Sequence, residues 1–194
     1  MKRLTLWLGL ILMTVSLTGC GYNQIQRNDE AVTAAWGDVQ AAYQRRADLI
    51  PNLVEVVKGY AAHEKETLTA VTEARAKVGQ MKLGADVINN PQAMAQFQAA
   101  QGGISSALSR LMVVAERYPD LKANQNFADL QHQLEGTENR INVARVRYNE
   151  AVQVFNTSIR TFPNNLTNNM LLHLQRKEPF QAEGGAEKAP KVKF

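Results

Sequence analysis

A chain of 194 residues, 45% of them apolar, holds material for one core of ordinary size once a short leader and tail are set aside. Its formal charge is +4, and without the leader's Lys2 and Arg3 there are 20 cations against 18 carboxylates, a balance that lacks the basic excess of a nucleic-acid partner. Cys20 is the sole cysteine, which excludes an intramolecular disulfide framework and leaves packing to hold the fold.

Lys2 and Arg3 precede an uncharged apolar run from Leu4 to Leu17. Its 14 residues fall short of the about 20 needed to cross ~30 Å of hydrocarbon, so it reads as the apolar stretch of a secretion signal. The run closes on Leu17-Thr18-Gly19-Cys20, an aliphatic residue, two small residues and a cysteine, which resembles the bacterial lipobox. This predicts cleavage between Gly19 and Cys20, loss of residues 1–19 as a signal peptide, lipidation of Cys20, and a short linker within 20–23. The alternative is an uncleaved membrane helix with a chance cysteine. The lipobox resemblance implies a thioether-linked diacylglycerol and usually a third acyl chain. At ~0.8 kcal/mol per buried methylene, such chains hold a protein on a membrane in effect permanently. Gly21, where an aspartate would retain a Gram-negative lipoprotein, leaves the outer membrane open beside the cell membrane.

From Ile25 to Phe162 the apolar positions recur in steps of three and four, and no stretch alternates as a strand does, which predicts an all-α protein. The first segment steps through Ile25, Asp29, Val32, Trp36, Val39, Tyr43 and Arg46. The next continues through Ile50, Leu53, Val57, Tyr60, Glu64, Thr67, Val71, Ala74 and Val78. Pro51 lies between them, and because proline costs ~3 kcal/mol inside a helix, a break is expected near 47–50. Gly79 to Asn90 reads as a loop, ending in an Asn90 cap and Pro91 at the first helical position. A third helix steps through Met94, Phe97, Gln101, Ile104, Leu108, Leu111, Ala115 and Tyr118, and stops at Pro119. The fourth follows Phe127, Leu130, Leu134, Thr137, Ile141, Ala144, Tyr148, Ala151 and Phe155 to Phe162.

The segments 24–46, 51–79, 91–118 and 122–162 each supply a rod of ~35 Å, which predicts an antiparallel up-and-down four-helix bundle with long helices and coiled-coil-like seams over 24–163. A competing arrangement keeps 24–79 as one bent helix, with residues 164–180 supplying the fourth rod. Residues 164–194 are expected to be a mostly flexible extension, with a mobile tail from Gln181 rich in Gly, Ala, Glu, Lys and Pro.

Counting depth from 46, 51, 118 and 122 places Asp29, Glu64, Thr67, Gln101 and Thr137 at one level on inward positions, with Glu138 beside them. Unpaired burial costs about 1–3 kcal/mol per group, so these residues are expected to bond together as a structural polar layer that fixes register. A ligand or proton site in the layer is the alternative. A di-metal centre would draw on His63-Glu64 and on His132 with Glu135. The Glu-x-x-His order is reversed and both fourth-helix residues fall on outer positions, so no metal or other cofactor is expected besides the lipid on Cys20. Arg45-Arg46 with Asp48, and Glu135 to Arg140, are expected to form ion pairs. No catalytic residues emerge.

The blocks GYNQIQ (21–26), YQRRADLIPNLVEVVKGYAAHE (43–64), LSRLMVVAERYPDLKANQNFADLQHQLEGTENRI (108–141), ARVRYN (144–149), IRTFP (159–163) and PKVKF (190–194) resemble the LemA family. The resemblance implies an antiparallel bundle held at a membrane with its body outside the cytoplasm, and no enzymatic activity. It further implies envelope partners such as a membrane peptidase or a TPM-domain protein. Two features depart from the family pattern: many relatives carry an uncleaved membrane helix in place of a lipobox, and MLLHLQ (170–175) lacks a Phe-Gly-Phe-like block. The expectation is a lipid-anchored, non-catalytic scaffold or adaptor facing the periplasm or cell exterior, with a ligand- or metal-binding bundle as the alternative.

Overall fold

The computed structural model describes the backbone of residues 2–81 and 84–181, and the side chains of 21–81, 84 and 86–181. Helix α1 (Lys2–Tyr60) turns at Ala61–Glu64 into the antiparallel α2 (Lys65–Gly79), and a short α3 (Ala85–Asn89) leads into α4 (Pro91–Glu116). A single turn, α5 (Pro119–Lys122), precedes the long α6 (Gln125–Ser158); α7 (Asn164–Thr167) and a π-helical turn (Asn168–Leu172) follow. Helices α1, α2, α4 and α6 alternate in direction as an all-α, up-and-down bundle, and no strand occurs among the described residues. The start of α4 follows local chemistry: the Asn90 side chain accepts hydrogen bonds from the amides of Gln92 and Ala93, and Pro91 occupies the first turn.

The expected break at 47–50 is absent, because α1 runs unbroken through Pro51. Proline has no N–H, so the carbonyl four residues earlier loses its partner. Here that carbonyl belongs to Ala47, and Arg75 of α2 donates its Nε–H to it at 2.9 Å. A tertiary hydrogen bond thus offsets the penalty that the local sequence imposes. The single 24–79 helix is not observed either, since the chain reverses after Tyr60, where the Glu64 amide donates to the Ala61 carbonyl at 3.0 Å. Arg75→Ala is expected to lower stability by about 1 kcal/mol, and by much less in a Pro51→Ala background, where the new N–H takes over the carbonyl. Urea unfolding of the four variants measures this coupling; equal costs in both backgrounds would remove the explanation.

Helix α2 has 15 residues against 34 in α6, so it covers only the upper half of the bundle. Around it packs a core that is aliphatic apart from Phe127 and includes Ile50, Leu53, Val57, Val71, Ile104, Leu111 and Leu134. The lower half is aromatic, with Trp36, Tyr43, Phe97, Tyr148, Phe155 and Phe180 in one cluster. There the fourth side is closed by α3, through Val87 and Ile88, and by the extended segment 173–181. The loop expected over 79–90 therefore contains a buried helical turn.

The extension expected to be mostly flexible is a packed strap as far as residue 181. Asn156 bonds both the amide and the carbonyl of Lys177, at 2.8 and 2.9 Å, and Asn149 does the same for Phe180, at 2.8 and 3.1 Å. The Glu178 amide donates to the Ile88 carbonyl at 2.9 Å, and Tyr148 donates its hydroxyl to the Glu178 carbonyl at 2.7 Å. Burial, with the Glu178 charge acting in the same direction, holds the Tyr148 hydroxyl well above its ordinary pKa, so it remains a donor in alkaline solution. The tail from 182 lies outside the described residues.

Candidate functional site

The boundary between the aliphatic and aromatic halves is polar. Arg46, 2% exposed, reaches from α1 across the bundle axis. One guanidinium nitrogen donates to Glu138 Oε1 at 2.7 Å and to Ser105 Oγ at 3.0 Å; the other donates to the Gln101 side-chain oxygen at 2.6 Å and to its carbonyl at 3.3 Å. The guanidinium also lies 5.1 Å from the Tyr43 ring centroid. Thr137, buried at this level, bonds the Gln133 carbonyl of its own helix at 2.8 Å. Beside the node opens a cleft of about 100 Å³, lined by Gln98, Gly102, Asn142 and Arg145 as well as the node itself. That is small against the roughly 300 Å³ at which pockets for small molecules begin.

The six residues expected in one polar layer separate into three groups. Gln101 and Glu138 meet at the waist on Arg46, and Thr137 is buried beside them but bonds its own helix at Gln133. Asp29 sits far below, where it pairs with Lys177 of the strap at 3.0 Å. Glu64 sits at the upper turn, accepting the Tyr118 hydroxyl at 3.1 Å and pairing with Arg117 at 3.1 Å. Thr67 is half-buried one turn further along, in α2. The depth count fails because it starts α1 at residue 46, whereas the helix ends at Tyr60. Counted from the true ends, Arg46 lies 14 residues in and Gln101 lies 15 in, while Glu64 lies at none. The bond to Glu64 raises the Tyr118 hydroxyl above its ordinary pKa, with burial and the carboxylate charge adding to it.

Arg46, expected on the seam and in an ion pair but not in the polar layer, is the residue on which the layer turns: an arginine on the apolar seam between Tyr43 and Ile50 requires a carboxylate opposite. The ion pairing expected of the 45–48 and 135–140 clusters takes the form of the Arg46 to Glu138 bond, while Arg45 bonds Gln133 at 3.4 Å and Asp48 accepts Gln44 at 2.7 Å. His132 lies 3.7 Å from Glu135 on the surface, and His63 is exposed at the upper turn. Among the described residues no three His, Cys, Asp or Glu side chains are grouped to hold a metal. Cys20 falls within α1, in the stretch whose side chains lie outside those described, as does the cleavage position after Gly19. Among the described residues no helix is long and apolar enough to cross a membrane.

The profile of the LemA family matches residues 35–194. Protein LemA of Metamycoplasma hominis is 26% identical over 140 residues, covering 72% of this chain and 60% of that protein. Magnetosome protein MamQ 2 of Paramagnetospirillum magneticum is 27% identical over 158 residues, 73% of this chain and 58% of its own length. Magnetosome protein MamQ of Magnetospirillum gryphiswaldense is 25% identical over the same length and with the same coverage. The chain thus spans 58 to 60% of the length of these curated relatives.

Proposed function

Because the chain belongs to the LemA family, we propose that it is a membrane-tethered envelope protein acting as a non-catalytic scaffold or adaptor, anchored by lipid on Cys20. The observation that supports a scaffold is the fate of Arg46, the most deeply buried charge among the described residues. Arg46 is held by Glu138, Gln101 and Ser105 from two other helices, which makes the node a register-setting element of a bundle. The support for the anchor is the cationic start, short apolar run and Leu17-Thr18-Gly19-Cys20 ending. Two or more acyl chains at that point would hold the body at the surface of a cell membrane or outer membrane, facing the periplasm or exterior. Its partners are envelope proteins, and no cofactor is part of this reading.

Cys20→Ser is expected to accumulate as a precursor whose intact mass retains residues 1–19 and lacks acyl groups. If that variant is trimmed and fractionates with membranes as the parent does, the lipid anchor is wrong. Chemical crosslinking in intact membranes, followed by capture of the chain, identifies the partner.

A further inference from the structure

At the end of the bundle where α1 enters, α7 and the π-helical turn leave an apolar face bare. Phe162, Leu166, Met170 and Leu171 are 79, 51, 75 and 64% exposed. Leu166 and Met170 stand about one turn apart, Phe162 lies just before α7 and Leu171 follows Met170, while Thr167 and Asn168 between them are buried. Elsewhere among the described residues the exposed large apolar side chains are smaller or amphipathic: Val113 of α4, Val143, Val146 and Val154 of α6, and Tyr22 and Tyr60 of α1.

The position of this face identifies what covers it. Gly21 of α1 lies so close to α7 that a Cβ there would stand 2.8 Å from Asn164 Oδ1 and 3.1 Å from Thr167 Oγ1. One residue earlier is Cys20, and just before it ends the apolar run Leu4–Leu17. Held by an acylated cysteine or by that run, the bilayer meets the protein at this end. The charge agrees, since residues 159–177 hold Arg160, Arg176 and Lys177 and no carboxylate. Lys177 is engaged by Asp29, whereas Arg160 and Arg176 are exposed and line one cleft of about 500 Å³ between α6 and the strap. Large apolar side chains flanked by arginine suit the boundary between headgroups and acyl chains of an anionic bilayer.

We infer that residues 162–171 form a lipid-contacting foot, with Phe162, Leu166, Met170 and Leu171 in the interfacial layer and Arg160 and Arg176 at the phosphates. The inference rests on the membrane-tethered reading and deepens it. A tether alone leaves the bundle free to swing, whereas a second contact beside it sets the angle of the rod to the membrane.

The test uses the full chain on vesicles of phosphatidylglycerol and phosphatidylethanolamine, with and without brominated acyl chains. Leu166→Trp and Met170→Trp are compared with Val113→Trp, near the other end of the bundle, each relative to the unsubstituted chain. The added fluorescence at 166 and 170 is expected to fall at least twofold with brominated lipid, and that at 113 to stay unchanged. Co-flotation without selective quenching at 166 and 170 overturns the foot, leaves the tether standing, and assigns the face to a protein partner or a second copy. Failure of the unsubstituted chain to float removes the tether and the foot together.

Discussion

Arg46→Ala is expected to lower the free energy of unfolding by about 2–4 kcal/mol, read as a shift of the urea midpoint with little change in slope. The alanine removes the guanidinium donor from four acceptors on three residues: Gln101 Oε1, Ser105 Oγ, Glu138 Oε1, and the Gln101 carbonyl, which keeps the Ser105 hydroxyl at 3.4 Å. Glu138 is 43% exposed and turns to water at small cost, so the charge pair contributes less than a fully buried one. Gln101, at 4% exposed, has no such escape. A void the size of the guanidinium stem adds to the loss. Arg46→Met combined with Gln101→Leu should recover most of the stability, because apolar volume then replaces both the guanidinium and the buried amide that needs it. A single-variant effect below about 0.5 kcal/mol, of the size found at ordinary surface positions, would show that the node contributes nothing to the fold.

The location of the node explains why an arginine is tolerated there. Above it the fourth rod is α2, below it the strap and α3, and the core changes from aliphatic to aromatic across the same level. Sliding α4 or α6 by one turn would set the guanidinium against Ile104 or Ile141, unpaired, so the node favours the one alignment in which both halves close.

Periodicity made the helices legible, and it failed wherever a contact between distant segments overrode a local rule. Of the ten seam positions expected in the fourth helix, Phe127, Leu134, Thr137, Ile141, Ala144, Tyr148 and Phe155 are buried, Leu130 and Ala151 are half-buried, and Phe162, beyond the helix end at Ser158, is 79% exposed. Asn90 and Pro91 mark the start of α4 because capping is a matter of neighbouring residues. Pro51 misled because its remedy, Arg75, comes from another helix 28 residues away in sequence from Ala47. With a turn expected at 47–50, every depth counted from it shifts, and the polar residues fall on a level that only half of them share. The strap was invisible for a different reason. An extended segment has no 3.6-residue pattern, and its partners are amide side chains whose role shows only when the backbone lies beside them.

Phe180→Ala is expected to cost about 3–4 kcal/mol and to release the strap. The Phe180 ring, 6% exposed, lies 5.4 Å from Tyr148, 6.1 Å from Trp36 and 6.2 Å from Phe97 between centroids, with Arg145 4.9 Å above it. Its backbone is held as firmly as its ring. Asn149 and Asn156 stand seven residues apart, about 10 Å along a helix at 1.5 Å each. Lys177 and Phe180 stand three apart, again about 10 Å in extended chain at 3.4 Å each. The two amides therefore match the strap in length, each bonding the N–H and C=O of one residue. Because the asparagines bond backbone alone, they accept any side chain, so the ring decides whether the ordering cost of the strap is recovered. Removing it should leave the upper aliphatic core intact while Trp36 and Phe97 become hydrated. The check is hydrogen exchange: amides 177–180 and those of the lower α6 should lose protection in Phe180→Ala while those of Ile104 to Leu111 keep theirs. Uniform loss along the whole bundle would mean instead that both halves unfold as one unit and that the strap is an integral fourth wall.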